Sequence, residues 1–150
     1  MKILVTGGGG FVGNVLTRRL LQAGYSVRVV DNFIKGCYGL MELIRNPNFE
    51  FMNGDVTDFS VCKKAVDGVD AIIHLAAIVG FPDCANQPGL AEAVNIGGTT
   101  NMLAVAYGRP LAFASTGSVY GKVEGICTEE SPLNAQSWYG KTKYIAEQKV

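Results

Sequence analysis

Two side chains near the end of the sequence have the types and spacing needed to move a proton. Tyr139 and Lys143 are four residues apart in a segment of helical periodicity, so they lie on one helix face. A free tyrosine titrates near about pH 10, and a neighbouring ammonium favours the phenolate. A phenol tuned in this way could exchange a proton with a substrate hydroxyl. The same spacing also occurs on ordinary solvated helices.

A cluster of hydroxyl side chains precedes this pair. Ser115, Thr116 and Ser118 follow a short apolar run that reads as a strand. In an open α/β sheet, ligands bind at the carboxyl ends of the strands. These hydroxyls could therefore hold a substrate hydroxyl or bridge it to Tyr139, although a polar turn after a strand is common.

A glycine run between the first strand and the first helix has the pattern of a phosphate-binding turn. Residues 7–13 read GGGGFVG, and two glycine registers fit, one starting at Gly7 and one at Gly8. Glycines permit positive φ and a close approach of the backbone, and the helix N-terminus offers free N–H groups to phosphates. The alternative is a glycine-rich turn without a ligand, but the strand before it and the helix after it favour a dinucleotide.

An acidic residue lies at the position where it could bind the ribose of a dinucleotide. Asp31 ends the second predicted strand, 18 residues after Gly13, and Asn32 follows it. A carboxylate there accepts both ribose hydroxyls of NAD and repels the extra phosphate of NADP, so we expect NAD. Lys35 lies nearby and could tolerate a phosphate. The other interpretation of Asp31 is that it only begins a turn.

Strand-like and helical segments alternate along the chain. We predict a buried strand at residues 3–6 and further strands at residues 26–30, 49–52, 71–75 and 111–114. We predict helices at residues 11–23, 61–66 (begun by Thr57 or Asp58), 90–106 and 137–150. This order predicts the α/β class, with a doubly wound parallel sheet covered by helices on both faces.

Composition excludes several classes of protein. The 150 residues fit one domain, and 48% hydrophobic residues argue against disorder. Thirteen basic and 13 acidic residues give zero formal charge, so we expect neither nucleic acid nor an anionic membrane as a partner. No apolar stretch approaches the roughly 18 residues of a membrane helix. We therefore expect a cytoplasmic protein without a signal peptide or membrane anchor.

Other residues that attract attention have ordinary explanations. His74 is the only histidine and ends a buried strand, so we expect a structural role for it. The pair Glu129–Glu130 suits a solvated loop, and we expect no metal. Trp138 could line a substrate site or simply pack. We expect inert thiols, without disulfides, at Cys37, Cys62, Cys84 and Cys127.

The order of these motifs resembles a known family. The motifs are residues 7–13, 31–32, 54–56, 74–77, 95, 115–121 and 139–143. They are similar to those of the extended short-chain dehydrogenases/reductases, and more narrowly to the NAD-dependent sugar-nucleotide epimerase/dehydratase family. The resemblance covers essentially the whole chain and implies a Rossmann fold.

The resemblance also implies a role for individual residues. Asn95 falls on a position used for packing and hydrogen bonding near the active site. The implied catalytic residues are Thr116, Tyr139 and Lys143, and the implied substrate-binding residues are Thr116, Ser118 and Tyr139. The implied cofactor-binding residues are Gly7, Gly10, Phe11, Val12, Gly13, Asp31, Asn32, Asp55, Val56, Leu75, Ala76, Ala77, Tyr139 and Lys143.

The implied reaction is epimerisation of a nucleotide-linked sugar. A hydride would pass from a hydroxyl-bearing sugar carbon to bound NAD and return to the other face of the transient keto-sugar. Dehydratases of the family carry an Asp-Glu pair after the catalytic residue, where this sequence has Gly117 and Ser118. Alternatives are a dehydrogenase, reductase or dehydratase of the same family, or a non-catalytic NAD sensor or scaffold. Val79 replaces a lysine of the family's epimerases, so retention of the cofactor is open.

The resemblance leads to two expectations about assembly. We expect residues 1–150 to be the NAD-binding domain, with the C-terminal substrate lobe absent, because the last predicted helix is still running at Val150. We also expect a homodimer, since the family dimerises through helices that correspond to residues 90–106 and 137 onward.

Overall fold

The described part of the chain forms a parallel sheet of five strands. The structure is a computed structural model that describes residues 1–36 and 38–150. The strands are β1 (Lys2–Thr6), β2 (Ser26–Asp31), β3 (Phe49–Asn53), β4 (Ala71–His74) and β5 (Leu111–Phe113). Their order across the sheet is β3-β2-β1-β4-β5. Because the chain turns from β3 on one side to β4 on the other, the carboxyl ends of β1 and β4 flank a topological switch point.

In these described residues, six α-helices connect and cover the strands. They are α1 (Phe11–Gln22), α2 (Phe59–Ala65), α3 (Phe81–Asn86), α4 (Pro88–Glu92), α5 (Thr99–Ala106) and α6 (Trp138–Glu147). A π-helical segment, Ala93–Gly98, joins α4 to α5. Two 3-10 helices span Tyr38–Leu43 and Gly117–Val119.

The core lies on both faces of the sheet because side chains alternate along each strand. On β1, Ile3 and Val5 belong to a cluster that packs against α1, whereas Leu4 belongs to a cluster with α2 and α5. All three side chains are buried. The near-continuous apolar runs of the central strands therefore mark a sheet covered on both sides, which confirms the predicted fold class.

Helix starts follow local capping chemistry. The Asp58 side chain accepts a hydrogen bond from the Ser60 N–H at 2.8 Å and begins α2, which selects one of the two predicted starts. The Ser137 side chain accepts one from the Gly140 N–H at 3.0 Å and begins α6. Gly10 precedes α1 and contributes no side-chain cap.

The helix predicted at residues 90–106 differs from the structure. It starts earlier, at Pro88, and a π-helical segment interrupts it. The Thr99 hydroxyl donates to the Asn95 carbonyl at 2.7 Å, and the Thr100 hydroxyl to the Ile96 carbonyl at 2.8 Å. Threonine hydroxyls that donate to main-chain carbonyls compete with the main-chain hydrogen bonds of a regular α-helix.

Two other features of the helices also differ from the predictions. The helix α3 went unpredicted because six residues are too few for a periodic signal. The last helix ends at Glu147 rather than at residue 150. The other predicted helix and strand bounds agree within two residues. Within the described part of the chain, no helix combines the length and apolar character needed to cross a bilayer.

Candidate dinucleotide and catalytic site

A cleft of about 540 Å³ lies at the carboxyl ends of β1, β2 and β4. This volume is within the range of small-molecule sites, about 300–1,000 Å³. The cleft brings together twelve of the fourteen residues predicted to bind the cofactor. They are Gly7, Gly10, Phe11, Val12, Gly13, Asp31, Asn32, Asp55, Val56, Leu75, Ala76 and Ala77. Tyr139 and Lys143 are not part of its lining, because α6 lies beyond it, packed on α3 and the π-helical segment.

The glycine turn at the floor of the cleft is shaped for a diphosphate. Gly7 has a φ of 71°, and a Cβ added to it would lie 2.7 Å from the Ala76 nitrogen. A Cβ added to Gly13 would lie 2.3 Å from the Gly7 carbonyl oxygen. The N-terminus of α1 has no side-chain cap and no acidic residue in its first turn, and the first N–H groups of a helix have no partner within it. These features fit the phosphates of a dinucleotide.

Asp31 stands at the end of β2 with both carboxylate oxygens held in place. One oxygen accepts the Gly9 N–H at 2.9 Å, and the other accepts the Phe33 N–H at 2.8 Å. Each carboxylate oxygen has two lone-pair positions, so each keeps one for a further donor. A pair of adjacent ribose hydroxyls matches these two positions.

A second carboxylate lies next to the first in the same wall. Asn32 donates its side-chain N–H to Asp55 at 2.9 Å, and Asp55 also accepts the N–H and hydroxyl of Thr57. Burial opposes ionisation of Asp55, but the hydrogen bonds from Thr57 and Asn32 outweigh it and keep the pKa of the carboxyl below its usual value. This wall of the cleft is therefore bordered by two carboxylates that hydrogen bonds hold in place.

The cleft also contains residues that the sequence analysis did not assign to the cofactor. Glycines and apolar residues next to predicted positions could have been found by extending each motif by a few residues. Asp83 could not, because it belongs to the unpredicted α3. The full set is Gly9, Val30, Ile34, Lys35, Gly36, Gly54, Ile78, Val79, Asp83 and Val94.

Thr116 and Tyr139 meet beyond β5. Thr116 caps the second 3-10 helix, where its side-chain oxygen accepts the Ser118 N–H at 3.2 Å. Burial raises the pKa of Tyr139, and a hydrogen bond from the Thr116 side chain opposes that rise. The nearby Cys84 thiol raises the pKa further. Cys84 belongs to α3, which packs against α6 and whose Asp83 lines the cleft, so the phenol lies near a helix of the cleft wall.

The contacts of Lys143 and its effect on the pKa of Tyr139 differ from those predicted from the spacing of the two residues. Its side chain is only 3% exposed, and its ammonium lies 3.9 Å from the centre of the Phe113 ring. Burial lowers the pKa of Lys143 to about 8, against an opposing effect of Glu147. The pKa of Tyr139 is raised by burial rather than lowered by this lysine. The lysine therefore occupies an aromatic contact in the protein alone, and the expected lowering of the phenol pKa by Lys143 is not observed.

His74 is satisfied by two hydroxyls, as expected for a structural histidine. Its Nδ1 lies 2.6 Å from the Thr6 hydroxyl and its Nε2 lies 3.1 Å from the Thr99 hydroxyl. The Thr99 hydroxyl donates to the Asn95 carbonyl, so it accepts from the ring, and Nε2 carries the proton. The residue is 1% exposed, and burial, with Lys143 nearby, lowers its pKa to about 3.

Asn95 ties the π-helical segment to both sides of the site. Its amide exchanges hydrogen bonds with the main chain of Ile78, which lines the cleft, at 2.8 and 3.1 Å. It also donates to the Thr142 hydroxyl at 2.9 Å, and that hydroxyl donates to the Tyr139 carbonyl at 2.9 Å. The helix that carries the phenol is thus anchored to the wall of the cleft.

The remaining predicted residues have local roles. Trp138 donates its indole N–H to the Pro88 carbonyl at 3.2 Å, which favours the packing interpretation. Glu129 and Glu130 are exposed. Among residues 1–36 and 38–150, no three histidine, cysteine or acidic side chains gather as a group that could hold a metal ion.

The thiols divide by burial. Burial raises the pKa of Cys62 to about 11, and its thiol donates to the Val56 carbonyl. Cys84 is buried, Cys127 is exposed, and all three are free thiols. Cys37 lies outside the described residues.

Fold and site together define a Rossmann-type dinucleotide-binding domain with a tyrosine-containing polar site beside the cofactor cleft. The sequence profile of the NAD dependent epimerase/dehydratase family matches residues 3–150. The chain belongs to this family, which is NAD-dependent.

Similar proteins include enzymes with different reactions. The chain is 35% identical to UDP-glucose 4-epimerase 2 of Arabidopsis thaliana over 98% of its own length and 45% of that protein. It is 37% identical to UDP-glucuronic acid decarboxylase 1 of Danio rerio over 97% of its own length and 36% of that protein. The solved dTDP-glucose 4,6-dehydratase DesIV of Streptomyces venezuelae, with NAD and TYD bound, has a TM-score of 0.92 and 31% identity, covering 99% of this chain and 50% of that one. The chain thus spans about half the length of the relatives it matches.

Proposed function

We propose that the protein is an NAD-dependent nucleotide-sugar epimerase, and that residues 1–150 supply its NAD-binding domain and its catalytic groups. The observation that carries this proposal is the position of the Tyr139 phenol near the Thr116 side chain, on a helix that Asn95 anchors to the wall of a cleft with a diphosphate-shaped glycine turn. A domain that only sensed NAD would need the glycine turn but not this polar pair.

Different residues of the cleft would bind different parts of the cofactor. The N-terminus of α1 would hold the diphosphate, Asp31 and Asn32 the adenosine ribose, and Asp55 and Val56 the adenine. The segment from Leu75 to Ala77 would line the middle of the cofactor. Bound NAD supplies the acceptor and donor of the hydride. The protein has to place the sugar carbon and to exclude water.

The phenol of Tyr139 would take the proton of the sugar hydroxyl as the hydride leaves the same carbon. Its pKa is raised by burial, so the phenol is protonated in the protein alone. A positive charge nearby favours the phenolate, and the nicotinamide ring of oxidised NAD carries such a charge. Thr116 would bridge the sugar hydroxyl and the phenol, Ser118 would extend this set of polar groups, and Lys143 would add its ammonium.

Epimerisation is favoured over dehydration by the residues after Thr116. Dehydration needs acid–base groups at neighbouring sugar carbons, and Gly117 and Ser118 supply no carboxylate. The similarity to UDP-glucose 4-epimerase 2 supports the same choice. A dehydrogenase, reductase, dehydratase or decarboxylase reaction within the family is the alternative.

The assembly that we propose is a homodimer in the cytoplasm. Apolar side chains remain exposed on the two helical regions expected to form the interface, with Leu90 and Ile145 as examples. Light scattering coupled to size-exclusion chromatography measures the mass directly. A monomeric mass at micromolar concentration would contradict the dimer.

The test of the proposed function compares two tyrosines on α6. The Tyr139→Phe variant should bind NAD within about twofold of the wild type but lose at least about a hundredfold in turnover of UDP-glucose to its C4 epimer. Tyr144→Phe is the matched control, because it removes a hydroxyl from the same helix without touching the polar pair, and it should stay near the wild type.

Two results would contradict the proposal. Activity that survives in Tyr139→Phe would remove the phenol from the mechanism. A wild-type protein that binds NAD, yet neither epimerises nor oxidises any nucleotide sugar offered, would favour the sensor or scaffold instead. Isothermal titration measures NAD binding, and the near-ultraviolet absorbance of reduced nicotinamide measures oxidation of the sugar.

A further inference from the structure

An ion pair joins the two sides of the cleft. The Lys35 ammonium lies 3.1 Å from a carboxylate oxygen of Asp83. Lys35 belongs to the segment that follows β2, Asp83 belongs to α3, which follows β4, and both side chains line the cleft. Since β1 lies between β2 and β4 in the sheet, the pair connects segments on opposite sides of the glycine turn.

The ion pair changes which charges the cleft presents to a ligand. Among the described residues of the lining, Asp31, Asp55 and Asp83 contribute three carboxylates, whereas Lys35 contributes one ammonium. When Lys35 is paired with Asp83, no unpaired ammonium or guanidinium of the lining faces the cleft. A 2′-phosphate on the adenosine ribose adds about 1.5–2 negative charges, and the charged side chains of the lining would offer it carboxylates and no unpaired cation.

We propose that Asp83 contributes to the preference for NAD over NADP, because it holds Lys35 away from the position of a 2′-phosphate. This inference rests on the proposed dinucleotide binding and assigns a specificity role to a residue on the side of the cleft opposite Asp31. Asp31 disfavours the phosphate by direct repulsion. Asp83 adds its own charge and withdraws the one cation of the lining that could compensate.

The size of the effect follows from the exposure of the pair. Lys35 and Asp83 have 78% and 47% exposed side chains, so their attraction is weak and screened by salt. Separating the Lys35 ammonium from Asp83 therefore costs little free energy. Once Asp83 is neutral, a phosphate can compete for this ammonium. We expect the effect on the ratio of the two dissociation constants to be about two- to fivefold, the range of exposed charge pairs.

The experiment measures NAD and NADP dissociation constants by isothermal titration for the 150-residue chain and three variants. Asp83→Asn should strengthen NADP binding relative to NAD by about two- to fivefold. The double variant Asp83→Asn with Lys35→Gln should lose most of this gain, because the released cation is gone. Asp67→Asn, which neutralises an exposed carboxylate outside the cleft, is the matched control and should leave the ratio unchanged.

The outcomes separate this inference from the proposed function. A gain that is equally large in the single and double variants would overturn the inference, since it would come from the charge of Asp83 alone. An unchanged ratio in Asp83→Asn would overturn it as well. A wild-type chain that binds neither dinucleotide would instead contradict the proposed function.

Discussion

The single histidine makes the stability of this protein depend on pH between about pH 5 and about pH 7, where most carboxyl groups do not titrate. His74 is 1% exposed and is held as a neutral ring between the hydroxyls of Thr6 and Thr99. Burial, with a smaller effect of Lys143, lowers its pKa to about 3. Protonation of Nδ1 would also remove the acceptor for the Thr6 hydroxyl. The folded protein therefore resists a proton that the unfolded chain takes up readily.

The magnitude follows from the two pKa values. The unfolded histidine titrates near about pH 6.5, so between there and about pH 3 the unfolded state binds one proton more than the folded state. The free energy of unfolding is unaffected above this window and falls as the pH drops, by up to about 1.4 kcal/mol per pH unit. Between about pH 7 and about pH 5 the loss integrates to about 2 kcal/mol.

The assay is urea unfolding at these two pH values, followed by circular dichroism. Most carboxyl groups titrate below about pH 5, so the difference isolates His74. The variant His74→Asn should be less stable than the wild type at both pH values. Its free energy of unfolding should differ between the two pH values by less than about 0.5 kcal/mol. A wild-type difference below that size would refute the assignment of a neutral, buried ring. The ring-proton resonance of His74, which should not titrate down to about pH 4, gives a second measurement that needs no variant.

Two further predictions concern the glycine turn and the buried lysine. Gly13→Ala should lower the free energy of unfolding by about 2–3 kcal/mol and abolish NAD binding, since its Cβ would lie 2.3 Å from the Gly7 carbonyl oxygen. Gly97→Ala, whose Cβ would meet nothing within 4 Å, is the control, and equal melting temperatures would contradict the reasoning. The folded pKa of Lys143, about 8, is depressed, so its penalty on stability is greatest below that pH and is lost as the pH rises towards about 10.5. Relative to Lys143→Met, the wild type should gain about 2 kcal/mol between about pH 7.5 and about pH 9.5, and a constant difference in urea unfolding would refute the assigned shift.

The cleft could be predicted from the sequence because its residues directly follow strands that lie side by side in the sheet. The glycine turn follows β1, Asp31 ends β2, and Leu75 to Ala77 follow β4. Parallel strands bring their carboxyl ends to one edge of the sheet, so a correct strand assignment is enough to collect these residues in space. The central strands are readable because both of their faces are covered, which favours near-continuous apolar runs.

The contacts between elements could not be predicted in the same way. The ion pair of Lys35 with Asp83 depends on α3, whose six residues carry no periodic signal. The position of the Lys143 ammonium over Phe113 depends on how α6 packs beside β5. A spacing of four residues places two side chains on one face of a helix, but it does not determine which neighbour each side chain contacts.

A histidine, rather than an aliphatic residue, at the end of β4 is explained by the direction of the hydrogen bonds around it. The Ala76 N–H, at the cleft, donates to the Thr6 hydroxyl, which leaves the hydroxyl proton for Nδ1 of His74. The opposite nitrogen then donates to Thr99, which donates to the carbonyl of Asn95. Apolar packing has no direction, whereas this chain of bonds accepts only one arrangement of donors and acceptors. The neutral ring therefore fixes the position of the cleft wall relative to the π-helical segment that anchors α6, and a protonated ring would lose the hydrogen bond at Nδ1 that helps to hold them together.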